Sequence, residues 1–202
     1  QEFIGELALS GALRPPRGCL TAALAARDSG NALWVPDENK NEAALPSNGC
    51  IYPAPHLVKV CRHLSKDHQK SVIQPYLFDA APPEPDSYQK NLPDMADVKG
   101  QHLAKRALEV AAAGKHNLLM IGPPGAGKSM LAARLPSLLP QLTETERLDI
   151  AAIYSVANSQ SDISWHNRPF RSPHHSASST AIAGGGSNPK PGEISLAHQG
   201  IL

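Results

Sequence analysis

The sequence predicts an α/β protein built from two units. Three observations carry this reading: short apolar runs alternate with helix-patterned stretches, a GxxxxGK[ST] turn sits between an apolar run and a helix, and a proline-rich polar span separates the two patterns. A chain of 202 residues can bury a core in either unit. Charged residues make up 18% and hydrophobic ones 41%, a globular composition that excludes a disordered chain. No apolar run approaches the roughly 18 residues of a spanning helix, and the N-terminus carries no signal pattern. The expected location is therefore cytoplasmic, without a membrane partner. The net charge of +1 means that any nucleic-acid contact must come from local loops and assembly geometry.

Residues 1–64 read as the first α/β unit. Phe3 to Leu9 is a strand candidate, turned by Ser10-Gly11. Leu20 to Arg27 has the Ala/Leu content of a helix and stops at Ser29-Gly30. Ala32 to Val35 is a short strand ended by Pro36, and Glu42 to Leu45 is one helical turn. Ile51-Tyr52 continues the strand pattern, and His56 to Leu64 is an amphipathic helix. Residues 65–93 hold Pro75, Pro82, Pro83, Pro85 and Pro93 in a polar background and read as an interdomain linker.

The second unit, 94–202, opens with a helix from Gln101 to Ala113 whose apolar stripe is Leu103, Ala107, Val110 and Ala111, with Gly114 ending it. Leu118 to Ile121 is wholly apolar, as in a strand buried within a parallel sheet. A helix from Ser129 to Leu139 follows the glycine turn. Thr143 and Glu146 form a capping box for a helix through about Ala157. Beyond Trp165 the chain turns rich in Pro, Gly, Ser and His, and Glu193 to His198 is again helical.

The segment Gly122, Pro123, Pro124, Gly125, Ala126, Gly127, Lys128, Ser129 is a phosphate-binding P-loop. Glycines allow backbone N–H groups to turn inward around a phosphate without steric bulk. Lys128 is placed to reach the β- and γ-phosphates, and the Ser129 hydroxyl to ligate magnesium, so ATP and Mg2+ are the expected cofactors. Lys128 and Ser129 are thus the candidate catalytic residues. The span Gly122 to Met130 is the candidate nucleotide site. Hydrolysis also needs a strand-borne acidic pair and an arginine at the γ-phosphate, and no such acidic pair follows the P-loop in this sequence.

Four segments then resemble one family. They are Asp97-Val-Lys-Gly-Gln101, the P-loop, Arg168-Pro-Phe-Arg-Ser-Pro-His-His175, and Gly184-Gly-Gly with Pro189-Lys-Pro-Gly-Glu-Ile-Ser-Leu-Ala-His-Gln-Gly200. Together they are similar to the magnesium-chelatase-like AAA+ ATPases, nearest the ComM (YifB-type) competence proteins. Gly5-Glu6-Leu-Ala-Leu-Ser-Gly11 and Pro36-Asp-Glu-Asn-Lys40 resemble the later half of the Lon-protease-like domain that this family carries before its motor. The implied fold is part of a Lon-like α/β domain followed by the N-terminal half of an AAA+ P-loop parallel-sheet domain.

By that resemblance, Ile201-Leu202 are the first residues of the Walker B strand, the acidic residues lie beyond this sequence, and the chain is an internal piece of a longer motor. The same resemblance implies a homo-oligomeric, hexameric ring acting on DNA without sequence preference, in branch migration during natural transformation and recombination. Gln101 is expected at the nucleotide base, and Lys190, Arg168 and Arg171 at DNA phosphates. The loop from Ala181 to Lys190 is equally readable as a projecting pore loop or as a plain turn, and it holds no aromatic residue for base stacking. The lysine of a Lon Ser–Lys dyad would fall near Thr21, where no lysine stands, so proteolysis is not expected.

Other constellations carry less. Cys19, Cys50 and Cys61 form no CxxC pair and are expected reduced. His174-His175 with His166 lacks the spacing of a metal site, and Trp34 and Trp165 are expected to pack. Two further functions compete with the DNA motor: a chelatase-type motor that remodels a partner protein, and an inactive nucleotide-binding fragment.

Overall fold

The computed structural model describes residues 1–65, 72–77, 92–157, 167–187 and 189–202. In chain order the first unit runs β1 (Glu2–Phe3), β2 (Glu6–Leu7), β3 (Leu13–Arg14), α1 (Cys19–Asp28), β4 (Ala32–Pro36), α2 (Lys40–Ala43), β5 (Cys50–Ala54) and α3 (Leu57–Leu64). A parallel three-stranded sheet in the order β1-β4-β5 sits at its centre. Strand β4 is apolar throughout because it is covered on both faces. Leu33 and Val35 pack with Cys19, Ala23 and Ala26 of α1. Trp34 points the other way, into a cluster with Ala54, Val60 and Tyr52. The mixed α/β class is as expected.

The single strand expected over Phe3 to Leu9 is instead two short ones with different partners. β1 pairs with β4, whereas β2 turns away to pair antiparallel with β3. Pro36 supplies the reason. Ile4 N–H still reaches Trp34 O at 3.0 Å, but the next rung of the parallel ladder needs an N–H that proline lacks. The expected linker also contracts. Tyr76 N–H donates to Ile51 O at 2.7 Å, and Ile73 N–H to His63 Nδ1 at 3.0 Å, so residues 72–77 belong to the first unit. Pro82, Pro83 and Pro85 lie outside the described residues.

The second unit runs α4 (His102–Gly114), α5 (Lys128–Ala132), α6 (Leu135–Leu138), α7 (Glu144–Ala157), α8 (Ser179–Ala183), β6 (Gly184–Gly185), β7 (Lys190–Pro191) and α9 (Glu193–Leu196). Its core gathers Met95, Val98, Leu108 and Leu131, with Ala104, Met120, Leu135 and Leu138 around them. The buried face of α4 is therefore Ala104, Leu108, Ala111 and Ala112, rotated roughly 100° from the expected stripe, one residue's turn of a helix. Leu103 and Val110 face outward.

Two further expectations change. The helix from Ser129 to Leu139 is broken into α5 and α6, because Pro136 cannot donate to Ala132 O and its ring crowds that carbonyl. Leu118 to Ile121 forms no strand among the described residues, and Leu119 and Ile121 are 81% and 88% exposed. A parallel strand is made by its neighbours, and no described strand lies beside this segment. The capping box forms as expected. Thr143 N–H donates to Glu146 Oε2 at 3.0 Å, and Glu146 N–H donates to Thr143 Oγ1 at 3.2 Å.

Candidate nucleotide-binding site

The P-loop takes its shape from local backbone chemistry. Ala126 N–H closes a turn onto Pro123 O at 3.3 Å. Gly125 and Gly127 hold φ of 80° and 82°, a region that side-chain-bearing residues rarely enter. Lys128 opens α5, and its ammonium folds back over the loop to donate to Gly122 O at 2.7 Å and Pro123 O at 2.8 Å. The N–H groups of Gly125, Gly127, Lys128 and Ser129 take no backbone acceptor among the described residues. Free backbone N–H donors beside a lysine ammonium are the donor set that an anion nest requires. Ser129 is exposed next to them.

Gln101 reaches the same place from the other side. It follows Gly100, and both adopt the left-handed conformation, with φ of 50° at Gln101 and 67° at Gly100. This turn brings the Gln101 side-chain amide over the loop, with Nε2 3.5 Å from Ala126 O. A side chain at position 127 would meet Gln101 Nε2 at 3.2 Å and Met130 Cε at 3.3 Å. Gln101 and Met130 therefore wall the loop at Gly127. The Gln101 contact is with the loop backbone. Arg134, whose sequence surroundings carry no motif, donates to Asp94 O at 2.9 Å and Met130 O at 3.0 Å, tying the end of α5 to the start of the unit.

A family profile described as "Magnesium chelatase, subunit ChlI" matches residues 94–202. The chain belongs to this family. Over all of its length it is 48% identical to the "Uncharacterized protein YifB" of Salmonella typhimurium, covering 38% of that protein. It is 45% identical over 202 residues to the "Competence protein ComM" of Haemophilus influenzae, covering 39% of that one. The chain thus spans less than half of the curated relatives it matches.

For this family member the structure separates the three candidate phosphate contacts. Lys190 is exposed on the β6–β7 hairpin, whose glycines 184, 185 and 186 hold φ of 91°, 112° and 100°. Arg168 is instead an internal anchor. Its guanidinium donates to Pro140 O at 2.9 Å, Gln199 O at 2.8 Å and Glu146 Oε2 at 3.2 Å, and only 9% of its side chain is exposed. Arg171 pairs bidentately with Glu193 at 2.5 and 2.6 Å. Both guanidinia are thus engaged within the unit, Arg168 through all three of its nitrogens and Arg171 through Nε and Nη2, whereas Lys190 is exposed. The sequence signalled Glu146 as a capping residue but held no cue that Arg168 braces it. Thr143 N–H first, then Arg168, holds the Glu146 carboxyl below the usual carboxylate range.

The remaining candidates are structural. Thr21 spends its hydroxyl on Gly18 O at 2.6 Å. Burial, aided by Glu42, pushes the Cys19 thiol up to about 12, so it is inert. Cys50 and Cys61 are free thiols. His174 and His175 lie ring against ring at 4.1 Å, and among the described residues no three His, Cys, Asp or Glu side chains group to hold a metal. His166 and Trp165 lie outside the described residues. Trp34 packs between Tyr52 and His63 at centroid distances of 4.8 and 4.9 Å. No described helix is long and apolar enough to cross a membrane.

Proposed function

We propose that this chain is the ATP-binding segment of a ring-forming AAA+ ATPase motor that acts on DNA. The observation that carries the reading is the P-loop itself, a backbone nest roofed by the Lys128 ammonium. In this reading the N–H groups of Gly125, Gly127 and Lys128 wrap the β-phosphate. Lys128 exchanges its two loop carbonyls for phosphate oxygens, so the site is pre-organised and the ammonium is held ready by weak acceptors. Ser129 would hold magnesium, and the ion would supply charge neutralisation at the transferred phosphoryl group. Gln101 and Met130 border the nucleotide on the side of Gly127, with Gln101 near the base.

DNA is favoured as the track because a relative at 45% identity is named a competence protein and because Lys190 is exposed on a glycine-rich hairpin. A second reading, a motor that remodels a partner protein, is favoured by the family description, which names a chelatase subunit. The test is steady-state ATP hydrolysis by a chain of the relatives' full length, with and without forked DNA. Lys128→Ala is expected to abolish turnover. DNA stimulation that Lys190→Ala removes supports the DNA motor, whereas Lys128-dependent hydrolysis indifferent to DNA sinks it in favour of the protein partner.

A further inference from the structure

The joint between the first unit and α7 is built around a carboxylate that the ATP site does not use. Glu42, on α2, accepts the Leu20 N–H at 3.2 Å and the hydroxyl of Ser155 through Oε1, and the Asn39 side-chain amide at 3.0 Å through Oε2. Two of these donors come from the first unit and one from α7. Ser155 answers with a second bond, its carbonyl accepting the Gly18 N–H at 3.2 Å. Ser155 is 1% exposed and Asn39 3%, so water does not compete for this network. Gly18 sits at φ 73°, and a side chain there would meet Val156 Cγ2 at 3.3 Å, so the approach of α7 depends on a glycine. At the other end of the helix, Ser47 Oγ donates to Glu144 at 2.9 Å.

The residue preceding Ser155 along α7 faces elsewhere. Tyr154 OH donates to Leu196 O of α9 at 3.1 Å. Helix α9 begins at Glu193, separated from β7 by one residue; α9 packs on α8, β6 and β7, and β7 and α9 pack on α7. Adjacent positions on a helix project about 100° apart. Consequently α7 is shared, with Ser155 fixed to the first unit and Tyr154 fixed to the base of the hairpin that carries Lys190.

From this juxtaposition we propose that the first unit is a brace that sets the position of the β6–β7 hairpin through α7, with Glu42 and Ser155 as positioning residues. Only the hairpin's ligand rests on the DNA reading; the bracing does not.

Hydrogen exchange on the full-length protein reads the brace directly. In Ser155→Ala the hairpin amides of Gly185 and Lys190 are expected to exchange about tenfold faster, the scale of a lost hydrogen bond to a charged group. The Leu33 amide in the central sheet is expected to stay within twofold, and ATP affinity likewise. Should Ser155→Ala not fold, Tyr154→Phe cuts the same path on the hairpin side. It is then expected to speed hairpin exchange and leave the Leu20 amide, bonded to Glu42, unchanged. Faster exchange at Leu20 in Ser155→Ala with an unmoved hairpin overturns the proposal, as does an unmoved hairpin in Tyr154→Phe. DNA-stimulated ATPase separates the two readings. If wild-type turnover ignores DNA while the hairpin responds to Ser155→Ala, the brace stands and the DNA track falls. If DNA stimulates turnover, Ser155→Ala and Lys190→Ala are expected to lower it non-additively, as for two steps of one path.

Discussion

Two apolar runs of similar length meet opposite fates in this molecule. Ala32 to Val35 becomes a central strand with Leu33, Trp34 and Val35 no more than 2% exposed. Leu118 to Ile121 stays unpaired, with Leu119 and Ile121 largely in solvent. Composition does not separate them. The first has β1 and β5 on its two edges and α1 and α3 on its two faces, and the second has no described strand beside it. Yet the P-loop that follows the unpaired run is fully shaped, because its turn rests on Gly125, Gly127 and a bond from Ala126 to Pro123, all within a few residues. Local chemistry builds the loop, whereas a strand depends on partners that the run itself does not supply.

The sharpest way to break this comparison is to remove a side chain from each run. Trp34→Ala deletes a ring stacked on Tyr52 and set edge-on to His63, and is expected to cost about 3–5 kcal/mol in urea unfolding. Ile121→Ser in the same 202-residue chain is expected to change stability by less than about 0.5 kcal/mol, as at any exposed position. Equal costs would mean that the two runs are equally packed in solution and would end the contrast. Repeating Ile121→Ser in a chain of the relatives' length sharpens it, since a cost above about 1 kcal/mol there shows that residues outside this span cover the run.

How much could be read beforehand follows the same division. The P-loop, the Thr143–Glu146 cap and the helix over Leu20 to Arg27 were legible because residues a few positions apart decide them. The break at Ala133 was legible in principle from Pro136 and was missed. The buried face of α4 was not legible. Its sequence offers two apolar stripes, and packing with Met95, Leu131 and Leu135 selects the one through Leu108. The fates of Arg168 and Arg171 were hidden for a stronger reason. An arginine among prolines reads the same whether it meets a phosphate or a carboxylate from a distant helix, and Glu146 and Glu193 are each 22 residues away.

Smaller effects probe where close backbone approach, rather than side-chain burial, holds the second unit. At Gly192 an added Cβ would fall on the backbone of Gly184 and Ile182. Gly192→Ala is therefore expected to cost roughly 1–3 kcal/mol by overpacking. Thermal melting together with the exchange rate of the hairpin amides checks it, and a neutral result would show the hairpin free to move off α9. Thr143→Ala removes the cap acceptor for the Glu146 N–H. About 1 kcal/mol is expected there, read as a lower denaturant midpoint with an unchanged slope.

The Arg171–Glu193 pair gives the most specific small effect, because pH isolates it. The Arg171 guanidinium holds the Glu193 carboxyl below the usual carboxylate range through their side-chain hydrogen bonds. A carboxyl lowered in the folded state stabilises above its unfolded value, about 4.3 for Glu, and that contribution is lost as pH falls through the lower folded value. With Arg171 about a third exposed, water screens the pair, and roughly 0.2–1 kcal/mol is the expected contribution. Wild type and Glu193→Gln should therefore differ by a constant amount in thermal melts between pH 7 and about 5, and converge as the pH drops below about 4. A difference that persists unchanged into acid would assign the cost of the substitution to packing at the start of α9 and remove the ion pair from the forces that hold the hairpin.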